Sequence, residues 1–258
     1  MSIQDALQNN MISYTITSGG GHLGNCINMQ LTNLTDRSLS VKLESGRNLI
    51  SVDTNKQDIL VVKEEIFVMN SGQTLSKPIF GFCSQSHKSS TDLGETYSVG
   101  NMKDKTTVQL TEYLSQNEFP LPSMQNAVWV LTNNRRVEGI FHENRDSIQA
   151  LMDYVSGLTR QFTPWYSIEY QPNEEHLVSD AAKSIHGNFE GYLASDTKIK
   201  IVVFDKFNIP QQRTEMKINE RGYSHPVVVD VSKLPKGRYH LGFFLAGGGR
   251  VDEKVFTI

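Results

Sequence analysis

The feature that most constrains this chain is a recurring alternation of apolar and polar residues in short runs rich in β-branched side chains. ISYTITS, CINMQLTNL, LSVKLES, NLISVD, DILVVKEEIFVM and PIFGF follow one another between residues 11 and 82. A period of two puts alternate side chains on one face of a strand. The breakers SGGG, NLTDRS, ESGR and NSGQ separate the runs at roughly ten-residue intervals, the spacing of an antiparallel β-sandwich. In CINMQLTNL the alternation places Cys26, Met29 or Leu31 near one buried face. VMNSGQTLSKPIF reads as a hairpin with Ser71-Gly72 at its tip.

The period then changes. Residues 84–103 are polar and rich in Gly and Ser, and read as a loop. Asp104 is placed to cap KTTVQLTEYLSQ, in which Leu110, Tyr113 and Leu114 recur at helical spacing. Pro122-Ser123 opens MQNAVWVLTNN, striped by Met124, Ala127, Val128 and Leu131. Asn144 or Asp146 opens SIQALMDYVSGL, striped by Ile148, Leu151, Met152, Val155 and Leu158. Residues 160–180 read as a connection containing the strand-like WYSIEY, and six or seven strands follow from 184. The expected fold is mainly β with helices. An N-terminal antiparallel sandwich (11–83) carries a three-helix segment (104–160), and an immunoglobulin-like sandwich (176–258) follows.

Composition removes several function classes. Lys and Arg number 25 against 28 Asp and Glu, for a net charge of −3 with no basic block, so no nucleic-acid partner is expected. No apolar run reaches the roughly 18 residues of a membrane span. No Cys-x-x-Cys or His-x-x-x-His spacing suggests a metal, and no cofactor is expected. GGGHLGN formally contains G-x-G-x-x-G, but a strand rather than a helix follows it, so it reads as a hairpin turn, as does AGGGR. Glu64-Glu65 and Glu174-Glu175 are adjacent pairs rather than acids facing across a cleft. Cys83 has His87 near it in sequence and His142, His176 and His186 farther off, without a nucleophile elbow, so no catalytic residues are assigned and no enzyme is expected. Trp165 and Tyr166 could form an exposed aromatic patch for sugar or protein, or pack between domains.

Two resemblances add to this reading. Asp230, Ser232, Leu234, Pro235, Gly237 and Tyr239, followed by Lys254-Val255, spell a D-x-S-x-L-P-x-G-x-Y segment and a final strand. The last third of the chain thereby resembles the C-terminal sorting domain of the type IX (Por) secretion pathway, and more broadly an immunoglobulin-like accessory domain. Phe207-Asn208-Ile209-Pro210 stands where that family carries a glycine-bearing turn. This resemblance implies export through the outer membrane and an extracellular or cell-surface location. MSIQDALQNNMISYTI shows no basic stretch ahead of an apolar one, so the leader would lie outside this sequence or the protein is cytoplasmic.

The second resemblance joins Phe82-Cys83 to Met124-Gln125-Asn126-Ala127-Val128-Trp129. An aromatic-Cys pair and a later apolar-Gln-x-x-apolar-Trp helix are similar to bacterial surface thioester domains, which implies a Cys83–Gln125 thioester able to acylate amines on a target. The plainer reading makes Trp129 a core residue and Gln125 its polar neighbour one turn away. Cys26 and Cys83 are also candidates for a disulfide, or for two buried thiols. The expected function is a non-catalytic secreted or cell-surface adhesion protein, binding an extracellular protein or glycan. The alternatives are a covalent adhesin and a cytosolic structural protein.

Overall fold

The computed structural model describes residues 1–172 and 179–258. Glu174, Glu175, His176 and the expected start of the last domain at 176 lie outside them. The chain is mainly β and divides into two compact units, residues 1–163 with 172–179, and 164–171 with 180–258.

The first unit is built on a six-stranded sheet formed by β1 (Ile12–Ser18), β2 (Leu23–Asn33), β4 (Arg47–Ser51), β5 (Ile59–Val61), β7 (Thr74–Cys83) and β8 (Tyr97–Met102). The strand order is β1-β2-β7-β5-β4-β8, antiparallel throughout. A two-stranded sheet pairs β3 (Leu39–Leu43) with β6 (Glu65–Met69). Ile16, Ile27, Met29, Leu31, Val41, Leu43, Phe67, Met69 and Ile79 fill one core between these sheets, joined by Ile3 and Ala6 of the short helix α1 (Ile3–Gln8). The opposite face of the large sheet supplies Leu60, Val62 and Phe82 to a second cluster. There it meets α2 (Lys105–Gln116), α3 (Leu121–Thr132) and α4 (Gln149–Thr159). Alternation explains the split: Ile79 and Cys83 turn to the sandwich core, while Phe80 and Phe82 turn to the helices.

Several expectations are corrected here. Asn70–Gln73 does make the tight turn, with Gly72 at φ 68° and the Gln73 amide bonded to the Asn70 carbonyl at 3.1 Å. The strands it joins do not pair with each other, because β6 bonds to β3 and β7 to β2 and β5. The expected loop at 84–103 ends in β8, whose Gly100 lies where a Cβ would come 2.8 Å from the Asn48 carbonyl oxygen. YSIEY is no connector: β9 (Tyr166–Tyr170) pairs with β10 (Ala182–Leu193) inside the second unit.

That unit has seven strands in two sheets. One orders β13 (Gly222–Asp230), β10 (Ala182–Leu193) and β9. The other orders β12 (Pro210–Lys217), β11 (Lys198–Phe204), β14 (Arg238–Leu245) and β15 (Arg250–Thr257). Phe189 and Phe243 stack at 4.2 Å in its core. The turns follow the residues singled out by sequence. Asp230 accepts the Ser232 amide at 2.8 Å, Leu234 packs against the core, and the Tyr239 hydroxyl donates to the Pro235 carbonyl at 2.7 Å. At 205–209 the turn places Asn208 at φ 59°, a left-handed conformation that asparagine tolerates. Asp205 Oδ1 accepts the amides of Phe207 and Ile209.

Candidate functional site

Cys83 is the last residue of β7, a strand held on both sides, and is fully buried. Helix α3 carries Gln125 and Trp129 one turn apart, both nearly excluded from water. Although 42 residues separate them in sequence, Gln125 meets Cys83 with both ends of its carboxamide. Its Oε1 accepts the Cys83 backbone N–H at 3.0 Å, and its Nε2 donates to the Cys83 carbonyl at 2.7 Å. The Cys83 N–H also points at the His22 carbonyl, 3.0 Å away. A second amide does the same at the end of the helix. Asn133, the residue that closes α3, donates to the Ser84 carbonyl at 2.7 Å and accepts the Ser86 N–H. Two carboxamides thus add to the backbone pairing along residues 83–86, meeting the Cys83 N–H and carbonyl, the Ser84 carbonyl and the Ser86 N–H.

The loop after Cys83 is fixed from its other side as well. Asp58 Oδ2 accepts the Gln85 amide at 2.9 Å, and its Oδ1 accepts the Ser51 N–H at 3.0 Å. The fully buried Gln57 donates to the Lys88 carbonyl at 2.8 Å, and Lys56 reaches Asp92 at 2.9 Å. The site is therefore preorganised by strand, helix and loop together.

Burial sets the electrostatics. Desolvation pushes the Cys83 thiol far above its ordinary pKa, aided by the nearness of Cys26 and Asp58; it pushes the Cys26 thiol up to about 12. Both cysteines are free thiols, and Cys26 Sγ lies 3.7 Å from the Gly81 carbonyl oxygen. Trp129 shares the apolar cluster of Cys83, and its indole N–H is buried without a partner. His87 is exposed, and His142 is bonded within its own loop to Asn144 and Ser147. Among the described residues no group of three His, Cys, Asp or Glu is arranged to hold a metal ion.

The structure brings Cys83 and Gln125, singled out in the sequence, into contact, and adds Asn133, which the sequence reading did not name. The signal was present: Asn133 follows Gln125 by eight residues, two turns along the same face of the helix. The proposed Trp165–Tyr166 patch is overturned. Tyr166 is 5% exposed with its hydroxyl 3.2 Å from the Thr257 carbonyl oxygen, and Trp165 donates to the Val255 carbonyl at 2.6 Å over Gly187, where there is no Cβ to displace its ring.

No protein-family model matches the sequence, and no curated protein does. Among solved structures the chain is similar to an endonuclease/exonuclease/phosphatase from Beutenbergia cavernae DSM 12333, at 14% identity and a TM-score of 0.21, over 38% of this chain. The chain spans about 28% of that structure. So slight a likeness decides nothing about fold or activity. No helix among the described residues is long and apolar enough to cross a membrane.

Proposed function

We propose that the chain is a cell-surface adhesion protein whose first unit attaches covalently to its target through a Cys83–Gln125 thioester. The observation that carries this reading is the 3.0 Å hydrogen bond from the Cys83 N–H to Gln125 Oε1. A backbone N–H donating to the carbonyl oxygen under attack stabilises the negative charge that develops there, and here the donor belongs to the nucleophile's own residue. In the balanced step Cys83 Sγ bonds to Gln125 Cδ, the Cδ–Nε2 bond breaks, and the thiol proton leaves with the nitrogen as ammonia. The thiolate is the attacking species and burial holds the Cys83 thiol protonated, so the step requires the thiol proton to pass to the leaving nitrogen as the tetrahedral adduct collapses. Gln125 holds the Cys83 backbone while the thiol itself turns toward the sandwich core, so the reaction requires the Cys83 side chain to rotate toward the carboxamide; the buried setting then keeps water from the acyl product. A target amine then takes the acyl group as an amide and returns the thiol.

The second reading is non-covalent adhesion to an extracellular protein or glycan. It is favoured by the bond from Nε2 to the Cys83 carbonyl, since the Gln125 amide already completes a backbone pairing as it stands. Intact mass of the denatured chain separates the two. The covalent reading requires a mass about 17 Da below the sequence value, restored in Cys83→Ala and Gln125→Ala after allowing for each substitution, and a methylamine adduct on Gln125. A chain at full mass with two alkylatable thiols overturns it and leaves the non-covalent reading.

A further inference from the structure

The second unit carries a built depression on the outward face of its four-stranded sheet. Cross-strand register places Phe204, His240 and Val255 in one row, Val202, Gly242 and Glu253 in the next, and Lys200, Phe244 and Arg250 in the third. Gly242 is the centre of this array. A Cβ there would come 2.6 Å from the Phe244 ring and 3.3 Å from the Phe204 ring, so glycine is what lets both rings lean over the sheet. They meet edge to face, with centroids 6.5 Å apart. The result is a cavity of about 330 Å³, walled by the two rings, His240, Arg250, Glu253 and Asn208.

We infer that this depression binds a pyranose unit of a neutral glycan. The volume lies at the small end of ligand pockets, which combine an aromatic wall with a few fixed polar groups. Its charges are balanced internally. Glu253 is held by Arg250 on one oxygen and stands 3.2 Å from His240 Nδ1 on the other. A charged ligand would have to break that arrangement, whereas a neutral one bonds to what remains open: the other guanidinium N–H groups, the free imidazole nitrogen and the Asn208 amide. A pyranose offers an apolar C–H face to an aromatic ring and a rim of hydroxyls to such groups. Half-buried Phe204 and Phe244 are already ordered against each other, so little side-chain freedom is lost on binding.

The site shares no residue with the Cys83–Gln125 pair and does not rest on the thioester. Saturation-transfer NMR of the full chain against neutral cello-, laminari-, manno- and chito-oligosaccharides, with polygalacturonate as the anionic comparison, tests it. Transfer to the ring C–H protons of a neutral glycan is expected, with affinity falling about tenfold or more in Phe244→Ala and in Phe204→Ala. Cys83→Ala should bind as the parent does. Thermal melts of each variant report whether the second unit remains folded. If one variant unfolds, the other decides. The inference is overturned if no neutral glycan receives transfer at millimolar concentration, if only the polyanion does, or if transfer survives a folded Phe variant unchanged.

Discussion

Arg47 is 4% exposed, and each of its three guanidinium nitrogens is hydrogen-bonded. Two nitrogens fork onto the Glu44 carboxylate at 2.9 and 3.2 Å, and Nη1 bonds the Gly100 carbonyl at 3.0 Å and Gln4 at 3.2 Å. One side chain therefore ties α1, β4 and β8 together. Arg47→Ala would leave Glu44 and the Gly100 carbonyl without that partner, and should destabilise the first unit by about 3–5 kcal/mol in urea melts. Replacing both members, Arg47→Met with Glu44→Gln, should recover much of the loss, because the penalty comes mostly from the orphaned charge. Nothing in the pattern LESGR marks the arginine as buried. A fork onto a residue three back looks the same on a solvated turn, and only the arrival of Gly100 and Gln4 from elsewhere distinguishes them. The glycine at 242 is similar. In HLGFFL the outward set His240, Gly242, Phe244 can be read by alternation, but a dent walled by Phe204 needs the pairing of β11 with β14.

Elements were legible where local chemistry decides them. Helix α2 begins where Asp104 predicts: its carboxylate accepts the amides of Thr106 and Thr107 at 3.0 and 3.1 Å and the Thr107 hydroxyl at 2.8 Å. These bonds, led by the Thr107 hydroxyl, hold the Asp104 carboxyl below its ordinary pKa of 3.8. A depressed carboxylate adds stability that is present above the ordinary pKa and is lost as pH falls through the folded one. Asp104→Ala should therefore cost about 1 kcal/mol at neutral pH, and parent and variant should converge as pH falls below 3.8. Denaturant melts at both pH values check this, and a difference that persists in acid would refute the cap's role. Elements were missed where context decides them. Helix α1 has six residues, too short for periodicity, and is held by packing of Ile3 and Ala6. Strand β8 holds polar residues and a glycine, and exists because β4 offers an edge. The turn at Ser71-Gly72 was plain, but a turn does not reveal whether its two strands share a sheet.

At the scale of the whole molecule, the first unit closes on two apolar clusters and the second on one of its own, so a defect in one unit should not be felt by the other. Phe243 is fully buried and stacked on Phe189. Phe243→Ala should destabilise the second unit by about 3–5 kcal/mol while the unfolding of the first stays in place. Calorimetry that shows both units weakening together would contradict this division. The return of strand patterning from residue 184 was readable in the sequence, but the placement of YSIEY was not, because a five-residue strand carries no sign of which neighbour it will join.

The position of β7 reaches beyond the final fold. It lies between β2 and β5, so the β1–β2 hairpin and the β4–β5 pair become one sheet only when residues 74–83 arrive. Synthesis delivers the β1–β2 and β4–β5 segments before the strand that completes the hydrogen-bonding rims of both. The segment that seals them also carries Cys83 at its far end, and Gln125 is synthesised later still. The amide clasp is therefore a late event in the life of the chain, and whatever depends on it belongs only to molecules that have already closed the seam.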